Sequence, residues 1–217
     1  MLPRKFLTCA LIGSAALAAV VPTAAADTDP CPDVEVIFAR GTGEPPGLGV
    51  VGQAFVEALA GRLGGRTVNA YPVNYPADFD FLAADLGADD AAARIVAVAS
   101  RCQDTKIVLG GYSQGAAVVD MLAGVGPLGK KIGEIGSAPP LAAPFADKVS
   151  AVVVFGNPAD RFGTPLSTTG FFAGRAIDLC NAADPICSPD GDTMTAHEEY
   201  QFAPSDQVAA DFAAGKL

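Results

Sequence analysis

The 217-residue sequence lacks tryptophan and has one histidine, three methionines and few aromatic side chains, 7% of the total. The single histidine, His197, excludes any site built on two or more imidazoles, such as a two-histidine zinc centre. Positive charge is scarce, with 14 Lys and Arg against 24 Asp and Glu, a net charge of −10. Because nucleic-acid binding needs clustered cations, we expect no nucleic-acid partner. Half of the residues are apolar, which excludes a disordered chain.

The N-terminal segment has the pattern of a signal peptide. Arg4 and Lys5 precede an apolar stretch of 16 residues, 6–21, and the alanines at 24–26 provide a cleavage site for signal peptidase. The stretch is shorter than the ~18–20 residues that span a bilayer, and no later run approaches that length. We therefore predict a signal peptide at 1–26, no transmembrane segment, and a single secreted domain at 27–217, free or attached to the cell wall.

The cysteine count supports this prediction of export. Cleavage would remove Cys9 and leave four of the five cysteines, with a formal charge of −12 on the mature chain. An even number of cysteines in an oxidising compartment is typical of two disulfides. Metal ligation is not expected, because the sequence contains no CxxC pair.

Short β-branched runs alternate with helical patterns, which predicts an α/β fold with a parallel central sheet. Pro/Gly-rich loops are expected at 124–147 and 156–175, and Ser205 is expected to cap the last helix. The predicted strands are 34–39, 67–73, 106–109, 151–155 and 176–179. The predicted helices are 51–63, 83–100, 116–122 and 206–214.

The predicted sheet selects one disulfide pairing among three. Cys31 and Cys102 each precede a strand and so lie at the amino edge, whereas Cys180 and Cys187 follow the last strand at the carboxyl edge. Cross-pairing would have to span a strand of order 15–20 Å, against the ~5.5 Å between α-carbons that a disulfide allows. We therefore predict the pairs Cys31–Cys102 and Cys180–Cys187.

Residues 111–115, Gly-Tyr-Ser-Gln-Gly, fit the G-x-S-x-G pattern between a predicted strand and a predicted helix. A serine on such a sharp turn presents its hydroxyl outward, beside the N-terminal amides of the following helix. The two glycines are needed because side chains there would clash with a neighbouring strand or helix. Ser113 is therefore a candidate nucleophile.

A serine nucleophile needs a base and an acid, in the chain order Ser, acid, His. His197 is the only imidazole and lies C-terminal to Ser113, so it is the candidate base. Asp184 is the preferred acid because it lies just past the carboxyl end of the last strand, where sites form in parallel sheets. Asp190 and Asp192 are the second choice. The acidic residues considered between Ser113 and His197 are Asp120, Glu134, Asp147, Asp160, Asp178, Asp184, Asp190 and Asp192.

Four segments resemble those of the cutinase family of small serine esterases, in its secreted actinobacterial, mycobacterial-type branch. They are VIFARGTGE at 36–44, GGYSQGA at 110–116, DLCNAADPIC at 178–187 and MTAHEEY at 194–200. The resemblance implies a compact α/β-hydrolase fold and a Ser113–His197–Asp184 triad. It also implies an oxyanion hole formed by the Gln114 amide and Thr42, where the family often has serine.

The activity that the resemblance implies is hydrolysis of short- to medium-chain carboxylic esters, with a small-molecule or lipid ester as substrate. Neither a cofactor nor a metal is expected, and we expect a monomer. Two alternatives remain: a phospholipase, thioesterase or acyltransferase with the same triad, or a secreted protein that binds lipids or surfaces without turnover. Five apolar loop residues are open to two interpretations, an acyl-binding rim or packing in the core and loops: Leu141, Phe145, Phe162, Phe171 and Phe172.

Overall fold

The computed structural model describes residues 31–127 and 135–217, so the predicted signal peptide lies outside the described residues. The strands are β1 (Val34–Ala39), β2 (Val68–Pro72), β3 (Lys106–Tyr112), β4 (Val149–Phe155) and β5 (Ala176–Leu179). The helices are α1 (Gly49–Arg62), α2 (Ala84–Arg101), α3 (Gln114–Ala123), α4 (Ala143–Ala146), α5 (Pro158–Arg161), α6 (Met194–His197) and α7 (Ser205–Ala214).

The five strands are all parallel in the order β2-β1-β3-β4-β5, which confirms the predicted α/β class. Side chains on the central strands are buried on both faces, because helices cover each side of the sheet. One face packs against α2 and α3, and the other packs against α1 and α7. The loops that follow the strands therefore meet at the carboxyl edge of the sheet.

The structure differs from the sequence prediction mainly at short elements. Strand β3 continues through Gly110 and Gly111 to Tyr112, because its neighbours β1 and β4 pair with it on both sides. The four-residue helices α4, α5 and α6 are too short to show a periodic pattern. The assignment of Ser205 as a helix cap is wrong, since α7 begins at Ser205 after Pro204 and has no side-chain cap.

None of the helices in the described part of the chain combines the length and apolar character that a membrane crossing requires.

The buried carboxyl group of Asp120, on α3, should make the stability of the fold depend on pH. Asp120 has no exposed surface, and Asn157 Nδ2 donates a 3.0 Å hydrogen bond to its Oδ1. Among the described residues no group bonds Oδ2. Burial raises the pKa of Asp120 well above its ordinary value. The folded state therefore loses stability as pH rises above the unfolded-state pKa of 3.8.

We expect Asp120→Asn to raise the melting temperature at pH 7.5 by a few degrees, roughly 3–6 °C, and by much less at pH 4. The amide keeps the acceptor for Asn157 and removes the cost of a buried charge. Differential scanning calorimetry at both pH values measures the difference. The exposed Asp190→Asn serves as a control without this pH dependence. An equal effect of Asp120→Asn at both pH values contradicts the prediction.

Candidate active site

Ser113 occupies the sharp turn between β3 and α3. Its backbone has φ +55° and ψ −116°, a region that side chains rarely adopt outside functional turns. Both glycines of the motif are required by close packing. A Cβ on Gly111 would lie 2.2 Å from the Gly115 carbonyl oxygen, and a Cβ on Gly115 would lie 2.0 Å from the carbonyl oxygen of Ala39 on β1. The turn therefore fixes Ser113 at the carboxyl edge of the sheet.

His197 lies at the end of α6 and reaches Ser113 across this edge. Its Nε2 is 2.8 Å from Ser113 Oγ, and its Nδ1 is 2.7 Å from Asp184 Oδ2. The imidazole is 5% exposed, so solvent has little access to either bond. An ionised carboxylate only accepts, so Nδ1 of the neutral ring donates to Asp184 and Nε2 accepts from the serine hydroxyl.

Asp184 is fully buried in the loop that follows β5. The Ile186 backbone N–H donates to its Oδ1 at 2.7 Å, and the Tyr200 hydroxyl donates to its Oδ2 at 2.6 Å. Burial alone raises the pKa of a carboxyl group, but the hydrogen bonds from His197, Tyr200 and Ile186 outweigh it and lower the pKa of Asp184. The carboxylate is therefore held in its ionised form.

The other acidic candidates lie elsewhere. Asp190 and Asp192, the second choice, are exposed to solvent. Asp120 and Asp178 both accept from Asn157, and Asp178 also binds the backbone of the 166–167 loop. Glu134 lies outside the described residues. Within the part of the chain that the structure describes, Asp184 is thus the acidic candidate hydrogen-bonded to His197.

The structure contains both predicted disulfides. Cys31 and Cys102 are joined with α-carbons 5.5 Å apart, and Cys180 and Cys187 are joined at 5.8 Å. The second bridge closes the Asp184 loop, and Cys187 Sγ lies 3.3 Å from Asp184 Oδ2. It therefore restrains the loop that presents the carboxylate.

Thr42, one predicted oxyanion donor, lies in the loop after β1. Glu44 shapes this loop by accepting from the backbone N–H of Gly41 at 2.6 Å and of Val50 at 2.8 Å. A Cβ on Gly41 would lie 2.6 Å from the ring of Tyr112, which precedes Ser113. The Thr42 loop therefore packs directly against the nucleophile turn.

Gln114, the other predicted donor, is the first residue of α3, where backbone N–H groups have no partner within the helix. Its side-chain Nε2 donates a 3.0 Å hydrogen bond to the Asp78 carbonyl, and Gly43 N–H donates to the Ala77 carbonyl at 2.8 Å. The loop after β2 is thus joined to Gln114 and to Gly43, the residue that follows Thr42.

One apolar side chain of that loop, Phe79, lies beside the site. Phe79 is 79% exposed, yet its ring edge is 3.0 Å from the position of a Cβ on Gly43. Phe81 and Leu82 in the same loop, and Leu86 in the first turn of α2, are also exposed and are close to Phe79 in sequence. We call these four side chains the Phe79 patch. Sequence reasoning missed it because the segment at 77–82 has no periodic pattern.

Four of the five apolar residues predicted to form an acyl-binding rim lie away from this site, whereas Phe162 is half-buried at the end of α5. Leu141 and Phe172 belong to the core, and Phe145 packs against it. Phe171 is exposed but bonds the carbonyl of Ala123, at the opposite end of α3 from Ser113. Apolar residues in loops are often buried, and the sequence alone did not separate the two cases.

Three further residues support the site without having been predicted. Tyr112 donates its hydroxyl to the His197 carbonyl at 2.7 Å, and Asn181 Nδ2 donates to the Ala196 carbonyl at 2.7 Å. Gly156 has φ +56°, and a Cβ there would lie 2.7 Å from His197 Cε1. Only contacts in three dimensions reveal these roles: Tyr112 is at a variable position of the G-x-S-x-G pattern, and neither its identity nor the spacing of Asn181 and Gly156 predicts the contacts.

A parallel five-stranded sheet with a strained serine between strand and helix defines an α/β-hydrolase-like protein. Residues 30–217 match the family described as Cutinase, and the chain belongs to that family. The predicted family resemblance is therefore confirmed. The chain is a carboxylic ester hydrolase.

Relatives span most of the chain. It is 48% identical over 197 residues to "Probable carboxylesterase Culp3" of Mycobacterium tuberculosis, covering 90% of this chain and 73% of the relative. It is 47% identical over 200 residues to "Phospholipase Culp4" of the same species, covering 92% and 84%. Among solved structures, a Trichoderma reesei cutinase with a bound phosphonate inhibitor has a TM-score of 0.68 and 35% identity, covering 87% and 78%.

Proposed function

We propose that this protein is a secreted serine esterase that hydrolyses short- to medium-chain carboxylic esters through an acyl-enzyme on Ser113. One observation carries the proposal: His197 is hydrogen-bonded to Asp184 at 2.7 Å through Nδ1 and to Ser113 at 2.8 Å through Nε2. The candidate nucleophile, base and acid are thus within hydrogen-bonding distance of one another.

In the proposed acylation step, His197 Nε2 takes the Ser113 proton while Oγ attacks the ester carbonyl carbon. Asp184 keeps the Nδ1 proton oriented and stabilises the imidazolium that forms. The tetrahedral oxyanion accepts hydrogen bonds from the Gln114 N–H and from Thr42. Collapse of this intermediate breaks the ester C–O bond, and the imidazolium returns the proton to the departing alcohol.

Deacylation repeats the sequence with water as nucleophile. His197 removes a proton from the water, the hydroxide adds to the acyl carbonyl, and Ser113 leaves with the proton from His197. Every step uses backbone or side-chain groups of this chain and water, so the proposed mechanism calls on no cofactor or metal.

Export is part of the proposal. The apolar N-terminal stretch ending in alanines supports a signal peptide at 1–26. The two disulfides support an oxidising destination, because such bridges are rare in reducing compartments.

The Phe79 patch supports an apolar acyl group as part of the substrate. Its loop is hydrogen-bonded at Asp78 to Gln114 and at Ala77 to Gly43, next to Thr42, so we expect an acyl chain that leaves the oxyanion site to meet this surface. We expect Phe79→Ala to lower kcat/KM about tenfold for octanoyl esters, because burial of a phenyl ring against the chain is lost.

A panel of p-nitrophenyl esters from acetyl to dodecanoyl measures this effect. Acetyl esters should change less than threefold, since their acyl groups are too short to reach the patch. Phe171→Ala, an exposed phenylalanine at the far end of α3, is the matched control. The prediction is contradicted by an equal loss on short and long esters, or by an equal loss in the control.

Phospholipid hydrolysis is the second candidate, favoured by the 47% identity to a relative named as a phospholipase. Asp78 and Asp80 alternate with Phe79 and Phe81 on the exposed loop, so negative charge lies next to the Phe79 patch. An anionic headgroup is therefore disfavoured at this surface. Phosphatidylcholine should be cleaved faster than phosphatidylglycerol if the second candidate is correct.

A fluorophosphonate probe tests the proposed nucleophile. It should label the wild-type protein on Ser113, and Ser113→Ala should lose both labelling and ester hydrolysis. A folded wild-type protein that stays unlabelled supports the alternative of a non-catalytic lipid-binding or surface-binding protein. Labelling that persists in Ser113→Ala shows that a different residue is the nucleophile.

A further inference from the structure

We propose that Tyr200 is a positioning residue for Asp184: its hydroxyl fixes the carboxylate oxygen that accepts the hydrogen bond from His197 Nδ1 and takes up part of the negative charge of that oxygen. This inference rests on the proposed Ser113–His197–Asp184 mechanism. Tyr200 lies outside the predicted triad and outside the oxyanion loop.

The direction of the hydrogen bonds at Tyr200 is fixed by its partners. The Asn181 backbone N–H donates to the hydroxyl oxygen at 2.9 Å. The hydroxyl proton is therefore free for Asp184 Oδ2, 2.6 Å away. Burial, together with the adjacent carboxylate, raises the pKa of Tyr200, so the hydroxyl remains a donor across the working pH range.

The contact falls on the reacting side of the carboxylate. Oδ2 accepts from both Tyr200 and His197 Nδ1, whereas Oδ1 accepts from the Ile186 N–H. Donors on both oxygens prevent rotation of the carboxylate about its Cβ–Cγ bond. The negative charge on Oδ2 is also stabilised by two donors, the Tyr200 hydroxyl and His197 Nδ1. Hydrogen bonds to an ionised group are stronger than those between neutral groups, so each donor has a sizeable effect on that charge.

Packing alone does not require the hydroxyl. The Tyr200 ring is fully buried against Phe155 and Tyr112, with ring centroids 6.0 Å away in each case. A phenylalanine ring would fill the same space. Phe155 itself shows that an unsubstituted ring is accommodated in this cluster.

Among the described residues, several titratable or charged groups lie around this carboxylate, and Glu44 acts on the neighbouring Tyr112 from the loop after β1. His197 faces it from α6 and Tyr112 from β3, and the Arg161 guanidinium binds the Ser188 carbonyl of the acid loop at 2.6 Å. The negative charge of Glu198 contributes to the raised pKa of the Tyr112 hydroxyl. Loss of the Tyr200 hydroxyl leaves more negative charge on Oδ2, which holds the His197 imidazolium more tightly. The acidic limb of the kcat/KM profile should then move to higher pH.

Tyr200→Phe tests the proposal with p-nitrophenyl butyrate. We expect kcat to fall about tenfold through poorer positioning, with KM changed less than twofold. The midpoint of the acidic limb should rise by about one pH unit. Tyr71→Phe is the matched control, because Tyr71 also donates to an aspartate, Asp90 at 3.1 Å, away from the site. It should leave the midpoint unchanged.

Site-specific 3-fluorotyrosine at position 200 supplies the opposite change without removing the hydroxyl. Fluorine makes the hydroxyl a stronger donor, so the acidic midpoint should fall below that of the wild type. If Tyr200→Phe does not fold, the 3-fluorotyrosine variant alone tests whether the Tyr200 hydroxyl sets the acidic midpoint. An unchanged midpoint in the folded Tyr200 variants overturns the proposal and leaves Tyr200 a packing residue. Hydrolysis that survives Ser113→Ala overturns the proposed function instead, whatever Tyr200 does.

Discussion

Replacing His197 with alanine should lower kcat for ester hydrolysis by about a million-fold, to near the rate of the oxyanion site acting alone. His197 Nε2 lies 2.8 Å from Ser113 Oγ, and the sequence has no second histidine to take its place. Without a base, the serine hydroxyl keeps its proton and attacks the ester poorly. Hydrolysis of p-nitrophenyl butyrate measures the loss, and fluorophosphonate labelling of Ser113 should slow in parallel.

The lone histidine also allows a test on the unmodified protein. Diethyl pyrocarbonate should inactivate the enzyme with one imidazole modified per chain, and a bound phosphonate on Ser113 should protect that imidazole. His197→Ala keeps its fold if its melting temperature stays within a few degrees of the wild type. A folded His197→Ala protein with more than about a hundredth of wild-type kcat contradicts the role of His197 as base.

The regular part of the fold was predictable because it follows from local patterns. Residues 151–155 of β4 form a continuous apolar run, as two-sided burial demands, and α2 shows acidic residues early and Arg101 late. Strand β3 was predicted three residues too short, because Gly110 and Gly111 have no intrinsic strand preference. Pairing with β1 and β4 overrides that local preference.

The candidate triad could be predicted because chain order and sheet topology restrict it. The serine lies between a strand and a helix, and the sequence has a single histidine. The acid is expected in the loop after the last strand, so few choices of nucleophile, base and acid remain. Tyr200, Asn181 and Gly156 could not be predicted in this way. Their importance comes from distances below 3 Å that join separate loops, and no periodicity or spacing in the sequence records such distances.

The Phe79 patch shows the same limit at the surface. Phe79 and Phe172 are both phenylalanines in loops, yet one is 79% exposed beside the site and the other is fully buried. Residue type sets the free energy gained on burial but does not determine which loop residues the fold covers. Positive φ angles at Ala77 and Phe81 turn this segment, and nothing in its composition indicates them.

Replacing Asp184 with asparagine should lower kcat about ten-thousand-fold at neutral pH, by forcing the wrong tautomer on His197. The Ile186 N–H donates to Oδ1, so the asparagine oxygen should take that position and place its NH2 group at Oδ2. The NH2 group then donates to His197 Nδ1. The imidazole proton moves to Nε2, which no longer accepts from Ser113.

The acid loop offers matched controls for this substitution. Asp190→Asn and Asp192→Asn change the same residue type a few positions away, but both side chains are exposed and lie outside the His197 contact. Each should keep kcat within about twofold of the wild type, as surface substitutions usually do. If Asp184→Asn retains high activity while Asp192→Asn loses it, the acid is misassigned. Of the three aspartates, Asp184 is the one that is hydrogen-bonded to His197. Equal losses of kcat in all three variants would therefore indicate that the negative charge of the loop matters and not this hydrogen bond.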